Sequence, residues 1–289
     1  TERLFALMAR LKAEGVTLVY ISHKLDEVER VTDEVIVMRD GRFVTRRPTE
    51  QLTRHEMANL MVGREIADLF PQKEPVPQGP PLLQVRGFSA PGWAQDVSSE
   101  VRGGEILGFA GRVGAGRTEL FEALLGLRPA HGGSVTLNGK QVRLRSPRHA
   151  ADEGLTYLSE DRKGKGLHVD LGLRENLTLM NLRRYARPWL APARERAALA
   201  EAVRAFGIRT GNLDARASSL SGGNQQKLAP AKVLDPQPRV VVLDEPTRGV
   251  DIGAKRDIYF LVQRLARSGH AVVVISSELL ELIGLCHRV

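Results

Sequence analysis

The chain has 289 residues, of which 42% are hydrophobic and 26% are charged, and its formal net charge is +8. This composition is ordinary for a globular protein, and no stretch approaches the ~20 apolar residues that a transmembrane helix requires. The basic residues are spread along the chain with acidic residues between them, which favours a solvated surface over nucleic-acid binding. The single cysteine, Cys286, excludes an internal disulfide.

The first predicted elements are a helix, a strand and a hairpin. Apolar residues recur at helical spacing over residues 4–11, and Gly15 ends this helix. Residues 16–21 are rich in β-branched side chains with polar flanks, which predicts a buried strand of a parallel sheet. Further along the chain, Asp40 and Gly41 predict the turn of a hairpin.

The chain contains an internal repeat. Residues 4–28 match residues 258–282 without a gap, so that Ile21 corresponds to Ile275. Both copies predict a helix, a glycine stop, a buried strand and a new helix, and this alternation is typical of a doubly wound parallel sheet. The offset predicts a fragment of a longer protein, which begins inside one structural unit and ends inside a second copy of it.

A proline-rich segment separates the two copies. Residues 70–81 read FPQKEPVPQGPP, and they predict an extended linker because proline fixes φ and lacks an N–H donor. A strand is predicted directly after it, over residues 82–88. The predicted boundaries are residues 1–65 for the first unit, 66–81 for the linker and 82–289 for the second unit.

The segment GRVGAGRT has the spacing of a P-loop, and it lies between a predicted strand and a predicted helix. Its glycines allow backbone N–H groups and the helix N-terminus to surround phosphate oxygens, while Thr118 would reach Mg²⁺. Arg117 stands where lysine is expected, and its planar fork is a poor replacement for a compact ammonium. A glycine-rich turn without a ligand is the alternative. The candidate nucleotide-binding residues are Gly111, Gly114, Ala115, Gly116, Arg117 and Thr118.

Two further strings carry candidate chemistry. The apolar strand predicted over residues 240–243 ends in Asp244 and Glu245, and ligands gather at the carboxyl ends of parallel strands. Asp244 is suited to the shell of Mg²⁺, and Glu245 to polarising an attacking water as a catalytic residue. In LSGGNQQK, Ser221 stands at the start of a predicted helix. Its hydroxyl and the backbone N–H groups at that helix start are suited to binding a phosphate, and a flexible turn is the alternative.

With these strings the chain resembles the ABC ATPases. GREIADLFP, SEDRKGKGL and LDEPTRGVDIGAK further resemble the bacterial importers of ribose, galactose and xylose. The resemblance implies an α/β fold of the ABC-type P-loop NTPases, with a mostly parallel sheet flanked by helices, an antiparallel β subdomain and a helical subdomain at about residues 160–228. It makes residues 1–65 the C-terminal part of a first cassette and residues 82–289 a second cassette, truncated before its last hairpin.

The same resemblance implies roles for individual residues. His23 matches the switch histidine that contacts the γ-phosphate and acts as a catalytic residue, and the repeat places Ser277 at the equivalent position of the second copy. Glu160 lies at the nucleotide-binding Q-loop position, where glutamine is usual, with an ordinary exposed loop as the alternative. Asp251 matches the D-loop aspartate. The implied signature residues are Ser221, Gly222, Gly223 and Gln225.

Two further positions are left open by the sequence. An aromatic residue upstream of the P-loop often stacks on adenine in this family, and Phe88 and Trp93 are both candidates, although either ring could instead be buried. Pro230 departs from the aliphatic residue of the family inside the helix after the signature. Because proline in a helix interior costs about 3 kcal/mol or more, the geometry of that helix is open.

The resemblance implies an ATP-driven subunit that imports a monosaccharide through a membrane permease, with ATP and Mg²⁺ as cofactors. A periplasmic sugar-binding protein would be an indirect partner, no nucleic acid is expected, and the subunit would lie peripherally at the cytoplasmic face of the bacterial inner membrane. Because Arg117 and Ser277 replace a lysine and a histidine, this cassette is expected to bind ATP and hydrolyse it poorly. The chain by itself is expected to have little ATPase activity.

Two other functions remain open. A soluble double-cassette ABC protein that acts on ribosomes or RNA would agree with the positive charge, but it predicts a long charged helix where residues 70–81 are proline-rich. An importer of nucleosides is the other alternative, although such relatives tend to lose the LDEP string that is intact here. The identity of a transported sugar is not contained in this sequence.

Overall fold

The structure is a computed structural model that describes residues 2–22, 25–39, 41–62, 69–112, 114–161, 164, 166–186, 188–250 and 252–289. The chain divides into two compact units. The first comprises Thr1–Phe70 with Gly249–Asp257, and the second comprises Pro71–Arg248 with Ile258–Val289. Within the described ranges, every helix is too short or too polar to cross a membrane.

The first unit is a small assembly of helices around an antiparallel hairpin. Its core is formed by Val28, Val35, Val37, Leu52 and Met57, which come from two helices, the first strand of the hairpin and the segment before the last helix. The predicted hairpin is present, with strand β1 paired to strand β2 on the two sides of the turn. The elements are α1 (Glu2–Ala13), α2 (Leu25–Val31), β1 (Glu34–Arg39), β2 (Arg42–Pro48) and α3 (Arg54–Val62).

Eight strands of the second unit form two sheets. A four-stranded antiparallel sheet has the order β4-β3-β6-β7, and a four-stranded parallel sheet has the order β5-β10-β9-β8. The two inner strands of the parallel sheet, β9 and β10, are buried along their whole length, as apolar β-branched strands covered on both faces should be. The strands are β3 (Pro81–Ala90), β4 (Ala94–Arg102), β5 (Ile106–Ala110), β6 (Ser134–Leu137), β7 (Lys140–Val142), β8 (Leu155–Leu158), β9 (Val240–Asp244) and β10 (Ala271–Ser276).

A helix follows each of β5, β7, β9 and β10, and several helices form a helical segment between β8 and β9. The core lies between the sheets and helix α4, and it includes the edge-to-face pair of Phe109 and Phe121. The helices are α4 (Arg117–Leu124), α5 (Pro147–Asp152), α6 (Leu173–Thr178), α7 (Leu182–Tyr185), α8 (Pro192–Ala205), α9 (Gly222–Leu234), α10 (Ile252–Arg267), which belongs to this unit from Ile258 onward, and α11 (Leu279–Leu285).

The strand predicted for residues 16–21 is absent, so this prediction is wrong. Val19 is 88% exposed and Ile21 is 92% exposed, although the matching segment of the repeat forms the buried strand β10. The difference lies in the neighbours. Strand β10 pairs with β5 on one side and β9 on the other, whereas no described strand pairs with residues 16–21. A parallel strand needs such partners for its backbone hydrogen bonds.

Side chains of the second unit hold the segment for which the sequence predicts a linker. Residues 71–79 contain no helix or strand. The amide of Gln263 donates to the carbonyl oxygen of Gln72, Glu74 forms an ion pair of 2.7 Å with Arg267, and Arg102 Nε donates to the Gly79 carbonyl at 3.0 Å. These contacts tie a segment without secondary structure of its own to the folded unit.

Candidate nucleotide-binding site

The P-loop forms a tight turn between β5 and α4. Gly114 and Gly116 have φ angles of +84° and +82°, which glycine adopts readily and other residues do not. Gly116 precedes the first turn of α4, and a Cβ atom added to it would lie 2.4 Å from the carbonyl oxygen of Trp93. The turn therefore requires glycine for both its backbone angle and its packing. It presents the N-terminal N–H groups of an eight-residue helix, which is the arrangement that binds phosphate.

Arg117 is directed toward the end of β9. Its Nη2 atom lies 3.4 Å from Oε1 of Glu245, and its Nη1 atom donates to the carbonyl oxygen of Ser276 at the end of β10. The side chains of Arg117 and Glu245 are 10% and 8% exposed, so this is a largely buried ion pair. The cation of the P-loop thus pairs with the carboxylate that the sequence assigns to water activation.

Glu245 is held at its second oxygen as well. Ser277 Oγ donates to Oε2 of Glu245 at 3.2 Å, and the backbone N–H of Glu245 donates to the Ile275 carbonyl at 2.8 Å. The residue has a φ of +46°, an uncommon conformation for a side chain other than glycine and one that concentrates at functional sites. Arg117 and Ser277, which replace the expected lysine and histidine, therefore both contact one carboxylate.

Asp244 is the most deeply buried carboxylate of this cluster, with 1% of its surface exposed. Its Oδ2 atom accepts a hydrogen bond of 2.7 Å from the Tyr157 hydroxyl, whereas Oδ1 has no hydrogen-bond partner among the described residues. Burial raises the pKa of Asp244 to about 6, and the nearby hydroxyls of Tyr157 and Thr118 oppose that rise. A buried carboxylate with one oxygen unsatisfied and a threonine hydroxyl close by fits a divalent cation with oxygen ligands.

Glu160 lies at the surface of the same cluster, just beyond the end of β8. Its Oε2 atom forms an ion pair of 2.6 Å with Arg248, and both side chains are well exposed. The negative charge of Glu160 is one of the influences that raise the pKa of Asp244, after the larger effect of burial. The Q-loop candidate therefore lies close enough to act on Asp244.

The two aromatic candidates for adenine stacking have different environments. Phe88 is 7% exposed and packs in the core of the second unit. Its ring is therefore not available to a base, and Phe88 is wrong as a candidate for adenine stacking. Trp93 is 46% exposed, and its backbone packs against Gly116 of the P-loop. The guanidinium of Arg128 lies over the indole ring at 5.6 Å from the centroid, and it pairs with Glu122 at 2.5 Å.

The signature residues lie at the start of α9 with an open surface. Ser221 Oγ accepts a hydrogen bond of 3.0 Å from the Asn224 amide, and Cβ atoms added to Gly222 or Gly223 would meet nothing within 4 Å. The Gln225 amide is directed inward, where it donates to backbone carbonyls at 3.1 and 3.2 Å. Within the described part of the chain, no hydrogen bond or ion pair links the signature to the P-loop.

Helix α9 continues through Pro230, which lies buried in its interior. Because proline has no N–H, the Gln226 carbonyl loses its helical donor. The Oε1 atom of Gln226 is also buried without a partner in the described ranges. Gln226 and Pro230 line a small cavity that also reaches Asp244 and Glu245. A small cavity thus lies between the signature helix and the two carboxylates.

Replacing Pro230 with leucine is expected to raise the free energy of unfolding by about 1–3 kcal/mol, because it restores a backbone donor and adds apolar volume beside a cavity. Urea denaturation measures this change. Pro192→Ala is the matched control, since Pro192 is at the first position of α8, where proline costs little, and it should give no gain. A Pro230→Leu variant less stable than the parent chain would contradict this interpretation of α9.

Two predicted site residues, His23 and Asp251, lie outside the described residues, as does Asp40 of the predicted hairpin turn. Sequence reasoning in turn does not find Tyr157 or the partners of Arg117. Tyr157 reads as one more apolar position of a buried strand, and its contact with Asp244 depends on the pairing of β8 with β9. The pairing of Arg117 with Glu245 joins residues 128 positions apart and likewise carries no local signal.

Comparison with known proteins identifies the family. The sequence model described as ABC transporter matches residues 94–248, which is more than half of the chain. The chain therefore belongs to the ABC transporter family. A solved ATP-binding cassette of an ABC transporter in its ADP conformation aligns with a TM-score of 0.59 and 21% identity, covering 72% of this chain and 85% of that one. The predicted ABC-type α/β fold is confirmed.

Curated proteins named for ribose or galactose import are similar to nearly the whole of this chain. The ribose import ATP-binding protein RbsA 2 of Rhizobium meliloti is 47% identical over 99% of this chain and 56% of its own length. The ribose import ATP-binding protein RbsA 3 of Rubrobacter xylanophilus is 45% identical over 100% of this chain and 58% of its own. A putative ribose/galactose/methyl galactoside import ATP-binding protein of Agrobacterium fabrum is 44% identical with the same coverage. The chain thus spans a little over half the length of these curated relatives.

Proposed function

We propose that this chain is part of the ATP-binding subunit of a bacterial monosaccharide importer, which couples ATP binding and hydrolysis to transport. The observation that carries the proposal is a P-loop that meets Asp244 and Glu245 at the carboxyl ends of β5 and β9. The similarity to proteins named for ribose and galactose import supports the substrate class. Which monosaccharide is carried is a property of other subunits.

The organisation into two cassettes is part of this proposal. Residues 1–65 are the C-terminal part of a first cassette, residues 66–81 a linker, and residues 82–289 a second cassette, with its helical subdomain at about residues 160–228. The internal repeat supports this division. The chain spans 56% of the length of one relative, which leaves room in that relative for the remainder of a first cassette.

The nucleotide would be held by the backbone of Gly111, Gly114, Ala115 and Gly116, with its base against Trp93. Mg²⁺ would be held by Thr118 and Asp244, and it would supply positive charge at the phosphate oxygens. The unsatisfied Oδ1 of Asp244 supports this assignment. Glu160 would act at the edge of the same site through its effect on Asp244.

Hydrolysis at this site should be slow because Glu245 is already engaged. A general base must accept a proton from water, and both oxygens of Glu245 already face donors, Arg117 at Oε1 and Ser277 at Oε2. In this account the signature residues Ser221, Gly222, Gly223 and Gln225 serve a nucleotide bound to the P-loop of another cassette. His23 would contact the γ-phosphate there, and Asp251 would contact the opposing cassette.

A membrane permease would be the direct partner, and a periplasmic sugar-binding protein an indirect one. The subunit would then lie at the cytoplasmic face of the inner membrane, and no nucleic acid would be bound. The printed names of the relatives refer to ribose and galactose import, so they give no support to an RNA-acting protein or to a nucleoside importer. ATP-dependent uptake of labelled ribose, galactose or xylose by vesicles that contain the intact transporter tests the proposal, and uptake that does not depend on this subunit would overturn it.

Nucleotide binding can be followed with one tryptophan. The chain has two tryptophans, Trp93 and Trp189, so Trp189→Phe leaves Trp93 as the reporter beside the P-loop. ATP is expected to quench its fluorescence, and Trp93→Ala is expected to weaken ATP binding by about 1–3 kcal/mol, the value of one base–aromatic contact. Trp189→Phe is itself the control and should bind as the parent does. No quenching, together with no heat of binding in calorimetry, would refute an ATP site here.

A further inference from the structure

Tyr157, which is not among the predicted site residues, contacts Asp244, the most buried carboxylate of the site. Tyr157 lies on β8 next to Val242 of β9, and its hydroxyl reaches across to Asp244 at the end of β9. The donor–acceptor distance is 2.7 Å, and the tyrosine ring packs against the core of the second unit. The two partners thus come from neighbouring parallel strands, whose pairing fixes their relative position.

This hydrogen bond makes the two oxygens of Asp244 unequal. Oδ2 accepts from Tyr157, whereas Oδ1 has no partner among the described residues and Asp244 is 1% exposed. The Tyr157 hydroxyl is the donor of this bond, and the paired strands β8 and β9 hold it in place. Because Oδ2 is held by this hydrogen bond, the carboxylate has a fixed orientation, and only Oδ1 remains available to a ligand.

We infer that Tyr157 is a positioning residue, which fixes the orientation of Asp244 so that Oδ1 is presented to the magnesium ion that accompanies the nucleotide. The inference rests on the proposed ATP site. Tyr157 acts through Asp244 and touches neither nucleotide nor metal in this account. A flexible Asp244 would have to be ordered when the ion binds, and the hydrogen bond removes that cost beforehand.

A purely structural role is the competing explanation, since a buried carboxylate needs hydrogen-bond donors wherever it lies. The chain contains a matched comparison. Tyr185 on α7 is likewise a tyrosine whose hydroxyl donates to a carboxylate, Oδ1 of Asp235 in the helical segment. Tyr185→Phe therefore removes the same kind of bond without touching the carboxylate cluster. Both phenylalanine variants should lose similar thermal stability.

The experiment measures the dissociation constant of ATP for the chain in excess Mg²⁺ and in EDTA. In Tyr157→Phe, the gain in affinity that Mg²⁺ provides is expected to fall about tenfold, while affinity in EDTA stays within about twofold. In Tyr185→Phe, the gain is expected to match that of the parent chain. A second measurement, Mn²⁺ binding in the presence of ATP followed by electron paramagnetic resonance, should show the same tenfold loss in Tyr157→Phe alone.

The outcomes separate this inference from the proposed function. A parent chain that binds ATP in neither condition overturns the ATP site and the role of Tyr157 with it. A parent chain that binds ATP with a gain from Mg²⁺ supports the site. In that case an unchanged gain in Tyr157→Phe, or an equal loss with and without Mg²⁺, overturns the positioning role. A melting curve of each variant confirms that the titrated protein is folded.

Discussion

Replacing Glu245 with glutamine is expected to tighten the binding of ATP to this chain by about tenfold, which is ~1.4 kcal/mol. The guanidinium of Arg117 lies 3.4 Å from Glu245, so the cation of the P-loop is neutralised by a carboxylate before any phosphate arrives. Glutamine has the same shape without the charge, and it leaves Arg117 able to turn toward phosphate oxygens. Titration with ATP, followed by calorimetry or by Trp93 fluorescence, measures the change.

The control for this prediction is Glu160→Gln. Glu160 also acts on Asp244, but its ion pair is with Arg248 at the surface and does not involve Arg117. Removing it takes away one negative charge near the same site, and because exposed pairs are worth little, the dissociation constant should change less than about twofold. Equal tightening in the two variants would show a general effect of charge and would count against a special role for the Arg117–Glu245 pair.

Replacing Gly116 with alanine is expected to weaken ATP binding by at least ~100-fold. The added Cβ atom would lie 2.4 Å from the Trp93 carbonyl oxygen, and a backbone atom cannot rotate out of the way. The φ angle of +82° adds a strain of about 1–2 kcal/mol for an L-residue. The turn must therefore move, and it takes with it the N–H groups that would surround the phosphates.

Gly139→Ala separates strain from displacement of the P-loop. Gly139 has a φ of +79°, yet a Cβ atom there would meet nothing within 4 Å, and it lies in the turn between β6 and β7. This control should lose about 1–2 kcal/mol of stability and bind ATP as the parent chain does. If Gly116→Ala binds ATP as tightly as Gly139→Ala, the P-loop is not the phosphate site.

Much of the fold follows from local pattern in the sequence. The apolar runs of β9 and β10, the hairpin of the first unit and the glycine-rich turn all carry their signal within a few residues. Residues 16–21 show the limit of this reasoning. Their pattern matches that of β10, yet they stay exposed because a parallel strand exists only between partners.

Some features of the candidate site can likewise be predicted from local sequence, and others depend on packing. The positions of Asp244 and Glu245 follow from a strand that ends in two acidic residues, and the need for glycine at Gly116 follows from its motif. The choice between Phe88 and Trp93 does not, because burial depends on which face of β3 packs inward. Contacts between distant residues, such as that of Tyr157 with Asp244, depend on strand order, which no short motif encodes.

We propose that Glu245 holds Arg117, so that this cassette is suited to retaining a nucleotide more than to hydrolysing it. A double-mutant cycle on ATP affinity, with Glu245→Gln and Arg117→Gln, measures the coupling of these two residues. The tightening that Glu245→Gln produces in the parent chain is expected to disappear when Arg117 is glutamine, which gives a coupling of about 1 kcal/mol or more. The same tightening in both backgrounds would show that Glu245 does not act through Arg117.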